Sequence, residues 1–235
     1  MTDASGDSPV ALVTGGAGFI GSAVVAALES AGHRAVALDR TGPYALDLGD
    51  EAEVRQTAKR VLADFGRCDV IVHAGVAFER ADFASLDADL WRRVMAVNVE
   101  SVLWLMQELT PGMEQRGFGR VVLLVSDTFF SPPAAPGMLP YIASKGALVG
   151  VARSMSRTFG PTGITINCVA PGMTPPPPPD PGMGPELIAD VVRRQAIPRR
   201  LVPEDVSSVV AFLASPASQG MTGQTLCPDG GLVLL

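Results

Sequence analysis

Short apolar runs separated by polar, glycine-rich breaks set the pattern of this chain. Val10 to Val13 has no polar position, and it is followed by the glycine-rich Thr14 to Gly21 and an apolar-periodic stretch reaching about Ser30. That order predicts a buried strand, a tight turn and a helix. Arg34 to Leu38 predicts a second strand. Glu51 to Phe65 places Val54, Ala58, Val61, Leu62 and Phe65 on one helical face. Asp69 to Val72 predicts a strand, and Leu86 to Leu109 one long helix or two abutting ones. Arg120 to Val125 has no polar residue after its first position, as expected of a strand covered by helices on both faces. A helix is predicted over Tyr141 to Phe159, a strand over Ile164 to Val169, a helix over Glu204 to Ala214 and a last short strand over Thr225 to Cys227. Strands alternating with helices predict an α/β fold of Rossmann type, a doubly wound parallel sheet flanked by helices on both faces.

No internal repeat or linker interrupts this pattern. Residues 1–9 are polar and acidic and read as a disordered lead; residues 10–235 read as one domain. The prolines Pro175 to Pro179 favour a stiff, extended chain, and the stretch from about 173 to 200 is expected to form a lid over a substrate. With 235 residues and 47% hydrophobic content the chain can bury a sizeable core. A net charge of -6 without a basic patch argues against a nucleic-acid partner. The apolar runs are too short to span a bilayer, and the first residues lack the charged-then-apolar pattern of a secretory leader. Cys68, Cys168 and Cys227 show neither metal-ligand spacing nor a Cys-x-x-Cys pair. They read as free thiols of a cytoplasmic protein, with no metal site expected.

The chemistry concentrates in a few places. Tyr141 and Lys145 are one helical turn apart and share a face. An ammonium beside a phenol favours the phenolate, and such a pair can move a proton to or from an alcohol oxygen. Upstream, Thr14 to Gly21 lies between a strand and a helix; its glycines permit a tight turn and the helix N-terminus offers free N–H groups to a pyrophosphate. Asp39, at the end of the second strand, can accept hydrogen bonds from both ribose hydroxyls of NAD and repel the extra phosphate of NADP. Arg40 follows it directly and can pair with that phosphate, so the preference stays open. Asp47, placed at the end of a further strand, can receive the adenine amino group, with Leu48 beside it.

These motifs, taken in order, resemble the short-chain dehydrogenase/reductase family in its compact, single-domain branch. The resemblance runs from about Ala11 to Gly231. It is carried by Thr14 to Gly21, His73-Ala74-Gly75, Val97-Asn98-Val99, Ser126 after an apolar strand, Tyr141 to Lys145, Asn167 to Gly172, Pro203-Glu204-Asp205, Thr222-Gly223-Gln224 and Asp229-Gly230-Gly231. The resemblance implies a catalytic set of Ser126, Tyr141, Lys145 and Asn98. Tyr141 would be the general acid/base and Lys145 would lower its pKa and bind the nicotinamide ribose. Ser126 would polarise the substrate oxygen, and Asn98 would anchor a water linking Lys145 to solvent. NAD, with NADP less favoured, would contact Gly15, Gly18, Phe19, Ile20, Gly21, Asp39, Asp47, Leu48, Ala74, Gly75, Tyr141, Lys145, Pro171, Gly172 and Thr174. The expected activity is interconversion of a secondary alcohol, cyclic diols included, with a ketone. Reduction of 3-oxoacyl thioesters, an epimerase or lyase reaction using NAD transiently, and a non-catalytic dinucleotide-binding regulator are the alternatives. A small molecule is the expected substrate. A homo-oligomer is also expected, a tetramer built on the helices containing Asn98 and Tyr141.

The chain departs from the family pattern in four respects. Its glycine spacing, Thr-Gly-x-x-Gly-x-x-Gly, is more typical of the extended branch, but no length remains for that branch's larger substrate domain. His73 stands where asparagine is usual and reads as a strand-end residue bonded to backbone. Asp39 and Asp47 are too close for the usual intervening helix, a shortening also seen in dihydrodiol dehydrogenases, whose Ser-Asp pair resembles Ser126-Asp127. The stretch from Ser126 to Tyr141 is longer than usual, which makes Thr128 a rival for the serine role. Phe129, Phe130, Met138, Leu139, Met173 and Met183 either line an apolar pocket or pack locally.

Overall fold

The structure, a computed structural model, describes residues 8–133, 135–176 and 183–235. The expected lead up to residue 7 and the centre of the proline run therefore lie outside the described residues. Seven parallel strands form one sheet in the order β3-β2-β1-β4-β5-β6-β7. The strands are β1 Val10–Thr14, β2 Arg34–Asp39, β3 Tyr44–Ala45, β4 Val70–His73, β5 Gly119–Leu124, β6 Ile164–Val169 and β7 Thr225–Leu226. Helices α1 Phe19–Ser30, α2 Glu51–Phe65, α3 Ala88–Met95, α4 Ser101–Arg116, α5 Leu139–Phe159, α6 Pro185–Arg194 and α7 Pro203–Ala214 connect and cover them.

Strand alternation sorts the core into two layers. Leu12, Ile71, Val121, Leu123 and Ile166 pack with residues of α2, α4 and α5 on one face. Ala11, Val13, Val70, Val72, Val122 and Leu124 pack with residues of α1 and α7 on the other. The apolar strands carry no face code of their own because both faces are dry. α2 spans the expected residues and is bounded as its sequence suggests. Asp50 accepts the N–H groups of Ala52 and Glu53 at one end, and Gly66 turns left-handed, φ 72°, at the other.

Three local features differ from expectation, and the region between Leu86 and Leu109 takes the second of its two expected forms. α5 starts at Leu139, with Pro140 in its first turn, where a missing N–H costs nothing. β3 stops at Ala45, so Asp47 lies beyond it rather than at its end. Between Leu86 and Leu109 the two helices abut through a π-helical turn, Ala96–Glu100, which holds Asn98. α6 has no counterpart in the sequence reading, where its residues belonged to the lid.

One buried ionic cluster fastens the N-terminal edge of the sheet. The Asp69 carboxylate, 1% exposed, accepts from the Val10 N–H at 2.9 Å, from Arg67 at 2.7 and 3.0 Å and from Arg116 at 3.2 Å. It thereby ties β1, the β4 entry and the end of α4 together.

Candidate active site

The sheet order reverses direction between β1 and β4, and a crevice opens at the strand ends there. Three glycines make it possible. Gly15 leaves β1 with φ +65°, and a Cβ on it would sit 2.9 Å from the Gly75 backbone beyond β4. A Cβ on Gly21 would collide with the Gly15 carbonyl, and one on Gly75 with the Leu48 side chain. The N-cap of α1 is Gly18, no side chain caps it, and the first turn holds no acid. The leading N–H groups of α1 therefore face the crevice without a competing anion. A cleft of about 1140 Å³ runs from here past Gly15, Gly18, Asp39, Asp47, Leu48, Ala74 and Gly75 to Phe78. Its size, its glycine cradle and its uncapped helix suit the pyrophosphate and adenosine of a nicotinamide dinucleotide.

Asp39 ends β2 as expected and is fixed against the glycine loop. Its carboxylate accepts from the Ala17 N–H at 3.0 Å and the Arg40 N–H at 2.8 Å. The Asp47 carboxylate accepts from the Gly49 N–H at 2.8 Å. Thr14 organises the loop from inside: its Oγ1 accepts from the N–H groups of Ala74 at 3.2 Å and Gly75 at 3.0 Å.

His73 completes that arrangement. Its Nε2 is 3.0 Å from the Asn98 carbonyl oxygen and its Nδ1 is 2.9 Å from Thr14 Oγ1. A carbonyl can only accept, so Nε2 carries the proton and the Thr14 hydroxyl donates to Nδ1. Burial, with the charge of Lys145, pushes His73 down to about 3, which keeps this neutral tautomer at all ordinary pH. The backbone-bonded reading of His73 is the one the geometry supports. The Asn98 side chain is also engaged. It accepts from the Ala77 N–H at 2.6 Å and donates to the Ala77 carbonyl at 3.1 Å and to Ser144 Oγ at 2.9 Å. The π-helical turn directs Asn98 to these partners, a use of that irregular geometry common near functional sites.

Ser126, Tyr141 and Lys145 come together at the ends of β5 and α5. Ser126 sits beside the Tyr141 phenol and favours its ionisation. It also accepts from the Thr128 N–H at 3.2 Å and the Thr128 hydroxyl at 2.8 Å, so Thr128 supports Ser126 rather than replacing it. Lys145 Nζ donates to the Leu124 carbonyl at 2.8 Å and lies 5.6 Å from the centre of the Tyr141 ring. Burial pulls the Lys145 ammonium down to about 8. Burial also raises the Tyr141 phenol, Ser126 draws it back, and the Asp127 charge raises it further. The expected lowering by Lys145 is thus not among the influences on Tyr141 in this structure: the ammonium is turned to the Leu124 carbonyl, and desolvation of the phenol dominates.

Phe78 packs edge-on against Tyr141, with ring centres 4.8 Å apart. The sequence reading missed it, and a lone phenylalanine in the loop after β4 offers no signal. Several loop residues for which both pocket lining and local packing were open pack locally. Phe129 leans on Phe130 with ring centres 5.0 Å apart and fills the space over Gly146 of α5. Phe130 packs on the core and Met138 is buried. Pro171, Gly172 and Thr174 follow β6. The Pro171 carbonyl accepts from the Asp127 N–H at 3.2 Å, the Gly172 N–H donates to Pro228 at 3.3 Å, and Thr174 Oγ1 donates to the Gly172 carbonyl at 3.0 Å. Ile20 is half-buried against the α1 layer and Phe19 is 40% exposed. Among the described residues no acid, histidine and cysteine cluster suits a metal ion, and no helix is long and apolar enough to cross a membrane.

A parallel sheet with this crevice, and a serine, tyrosine and lysine grouped where β5 ends and α5 begins, is the arrangement seen in nicotinamide-dependent oxidoreductases. Comparison with known proteins narrows the class. Residues 11–233 match the family model described as Enoyl-(Acyl carrier protein) reductase. The chain is 34% identical to the cis-4-hydroxycyclohexanecarboxylate dehydrogenase of Sinomonas cyclohexanicum, over 88% of this chain and 80% of that one. It is 30% identical to the acetoacetyl-CoA reductase of Rhizobium meliloti, over 95% of this chain and 98% of that one. The crystal structure of a putative gluconate dehydrogenase from Agrobacterium tumefaciens superposes with a TM-score of 0.86 at 27% identity, covering 97% of each chain. The chain belongs to the short-chain dehydrogenase/reductase family.

Proposed function

We propose that this protein is an NAD-dependent oxidoreductase that interconverts a secondary alcohol and a ketone, with cyclic alcohols and diols as the first substrates to test. The observation that carries the reading is the grouping of Ser126, Tyr141 and Lys145 beside Phe78, which packs on the Tyr141 ring and lines the cleft that holds Asp39. When bound, the nicotinamide supplies the hydride chemistry. Tyr141 gives a proton to the developing alkoxide in reduction and takes it from the alcohol in oxidation. Ser126 donates a second hydrogen bond to the same oxygen, placed where negative charge develops. Lys145 would hold the nicotinamide ribose; Asn98 holds the Ser144 end of α5 in register. Phe78 forms an apolar wall against the Tyr141 ring, which suits a ring-shaped or aliphatic substrate. The Sinomonas relative acts on a cyclic secondary alcohol by its name, which favours this substrate class. The name of the Rhizobium relative supports a second reading, reduction of 3-oxoacyl thioesters.

An assay at 340 nm with NAD and NADP over cyclic alcohols, diols and 3-hydroxyacyl thioesters separates the two readings. Turnover of cyclic alcohols with NAD supports the first; a clear preference for thioesters and NADP replaces it with the second. Asp39→Ala is expected to lower the preference for NAD over NADP, measured as the ratio of kcat/KM values, by about tenfold or more, the worth of one charge-assisted hydrogen bond. A wild type that already prefers NADP removes this role from Asp39. The subunits are proposed to assemble as a tetramer through α4 and α5, and light scattering that finds a monomer rejects that arrangement.

A further inference from the structure

Every hydrogen-bond position of Ser126 is already taken. A hydroxyl carries one proton and two lone pairs. Ser126 Oγ accepts from the Thr128 N–H at 3.2 Å and meets the Thr128 hydroxyl at 2.8 Å. Its one proton goes to Asp127 Oδ1 at 3.3 Å. Asp127 is 8% exposed, and its backbone N–H is held by the Pro171 carbonyl at 3.2 Å, which fixes the turn after β5 that carries it. The mechanism proposed above has Ser126 giving that same proton to the substrate oxygen.

We propose that Asp127 is a positioning residue that competes with the substrate oxygen for the single proton of Ser126. An ionised Asp127 holds the proton and leaves Ser126 no donor for the substrate oxygen, an arrangement that suits an alcohol, which brings its own proton. A protonated Asp127 becomes a donor itself and releases the Ser126 proton, an arrangement that suits a carbonyl. The titratable groups facing Asp127 are Tyr141 on α5 and Cys227 and Asp229 after β7, and all three are acids. Burial, aided by the Asp229 charge, lifts the Asp127 carboxyl to about 6. As pH falls through that value Asp127 gains its proton, and carbonyl reduction is expected to gain in kcat/KM. Above it, the gain is lost.

The inference rests on the Ser126–Tyr141 reading of the site, and its test needs neither substrate nor cofactor. The chain has two tyrosines, so Tyr44→Phe leaves Tyr141 as the only phenol. Its ionisation can then be followed by NMR of ring-carbon-labelled tyrosine. In this background Asp127→Asn is expected to lower the Tyr141 midpoint, because the freed Ser126 proton stabilises the phenolate. In a Ser126→Ala background the same substitution should lower it by roughly half as much or less, the non-additivity of groups that share one bond. Asp127→Ser gives a second small polar variant should the amide disturb the turn. Equal shifts with and without Ser126 would mean that Asp127 acts by charge alone, and would overturn the proposal. A protein silent in every turnover assay but non-additive in this cycle loses the proposed reaction and keeps the Ser126–Asp127 link. An active enzyme with additive shifts keeps the reaction and loses the link. In an active enzyme the acid-side gain in carbonyl reduction should vanish in Asp127→Asn; a gain that persists counts against the link in the same way.

Discussion

Tyr141→Phe is expected to lower kcat by about 10²–10⁴-fold, the usual worth of a positioned general acid/base. The substitution removes one oxygen and keeps the ring that Phe78 packs against at 4.8 Å, so the cleft and the helix stay in place. NAD binding, measured by calorimetry, should change little, because in the proposed reading the glycine loop, the α1 N-terminus and Asp39 would carry the pyrophosphate and adenosine. That split, lost turnover with retained binding, is what separates a proton donor from a residue that merely holds the site together. Activity within a few-fold of wild type would remove Tyr141 from the catalytic role. Weakened NAD binding alongside lost turnover would instead point to a structural part for the phenol.

The largest effect on stability is expected at Asp69, far from the chemistry. Asp69→Ala takes the acceptor from the Val10 N–H and from two guanidiniums at once. The Val10 N–H then stays buried, with Val10 2% exposed, while the Arg67 and Arg116 side chains keep 28% and 30% of their surface and can turn to water. The expected loss is therefore about 2–4 kcal/mol, below that for removing one partner of a wholly buried pair. This corresponds to a fall in Tm of about 5–15 °C for a chain of this size. Urea unfolding that changes by less than about 1 kcal/mol would show that the cluster is ornamental to stability. Because the cluster sits at the opposite end of the strands from the crevice, kcat at low temperature should be nearly unaffected.

Much of the fold was legible because its signals are local. The apolar strands, the α2 helix with its Asp50 and Gly66 ends, and the glycine turn between β1 and α1 each follow from a few neighbouring residues. α6 was not, since it lies beside a proline run that dominates its local pattern. The meeting of Ser126 with Tyr141 was legible only through resemblance, because nothing in their spacing requires that the end of β5 meet the start of α5.

The sequence by itself determined the class: a doubly wound parallel sheet, a glycine cradle for a dinucleotide, an acid at the end of β2 and the tyrosine–lysine pair on one helical face. These properties depend on periodicity and on contacts within a turn or two of chain. Only the tertiary structure decided the state of the groups. His73 is a neutral bridge from Thr14 to Asn98, Lys145 is turned to the Leu124 carbonyl, and Ser126 is shared between Thr128 and Asp127. Charge and proton position respond to desolvation and to partners far away in the chain, so they exist only once the strands have brought those partners together.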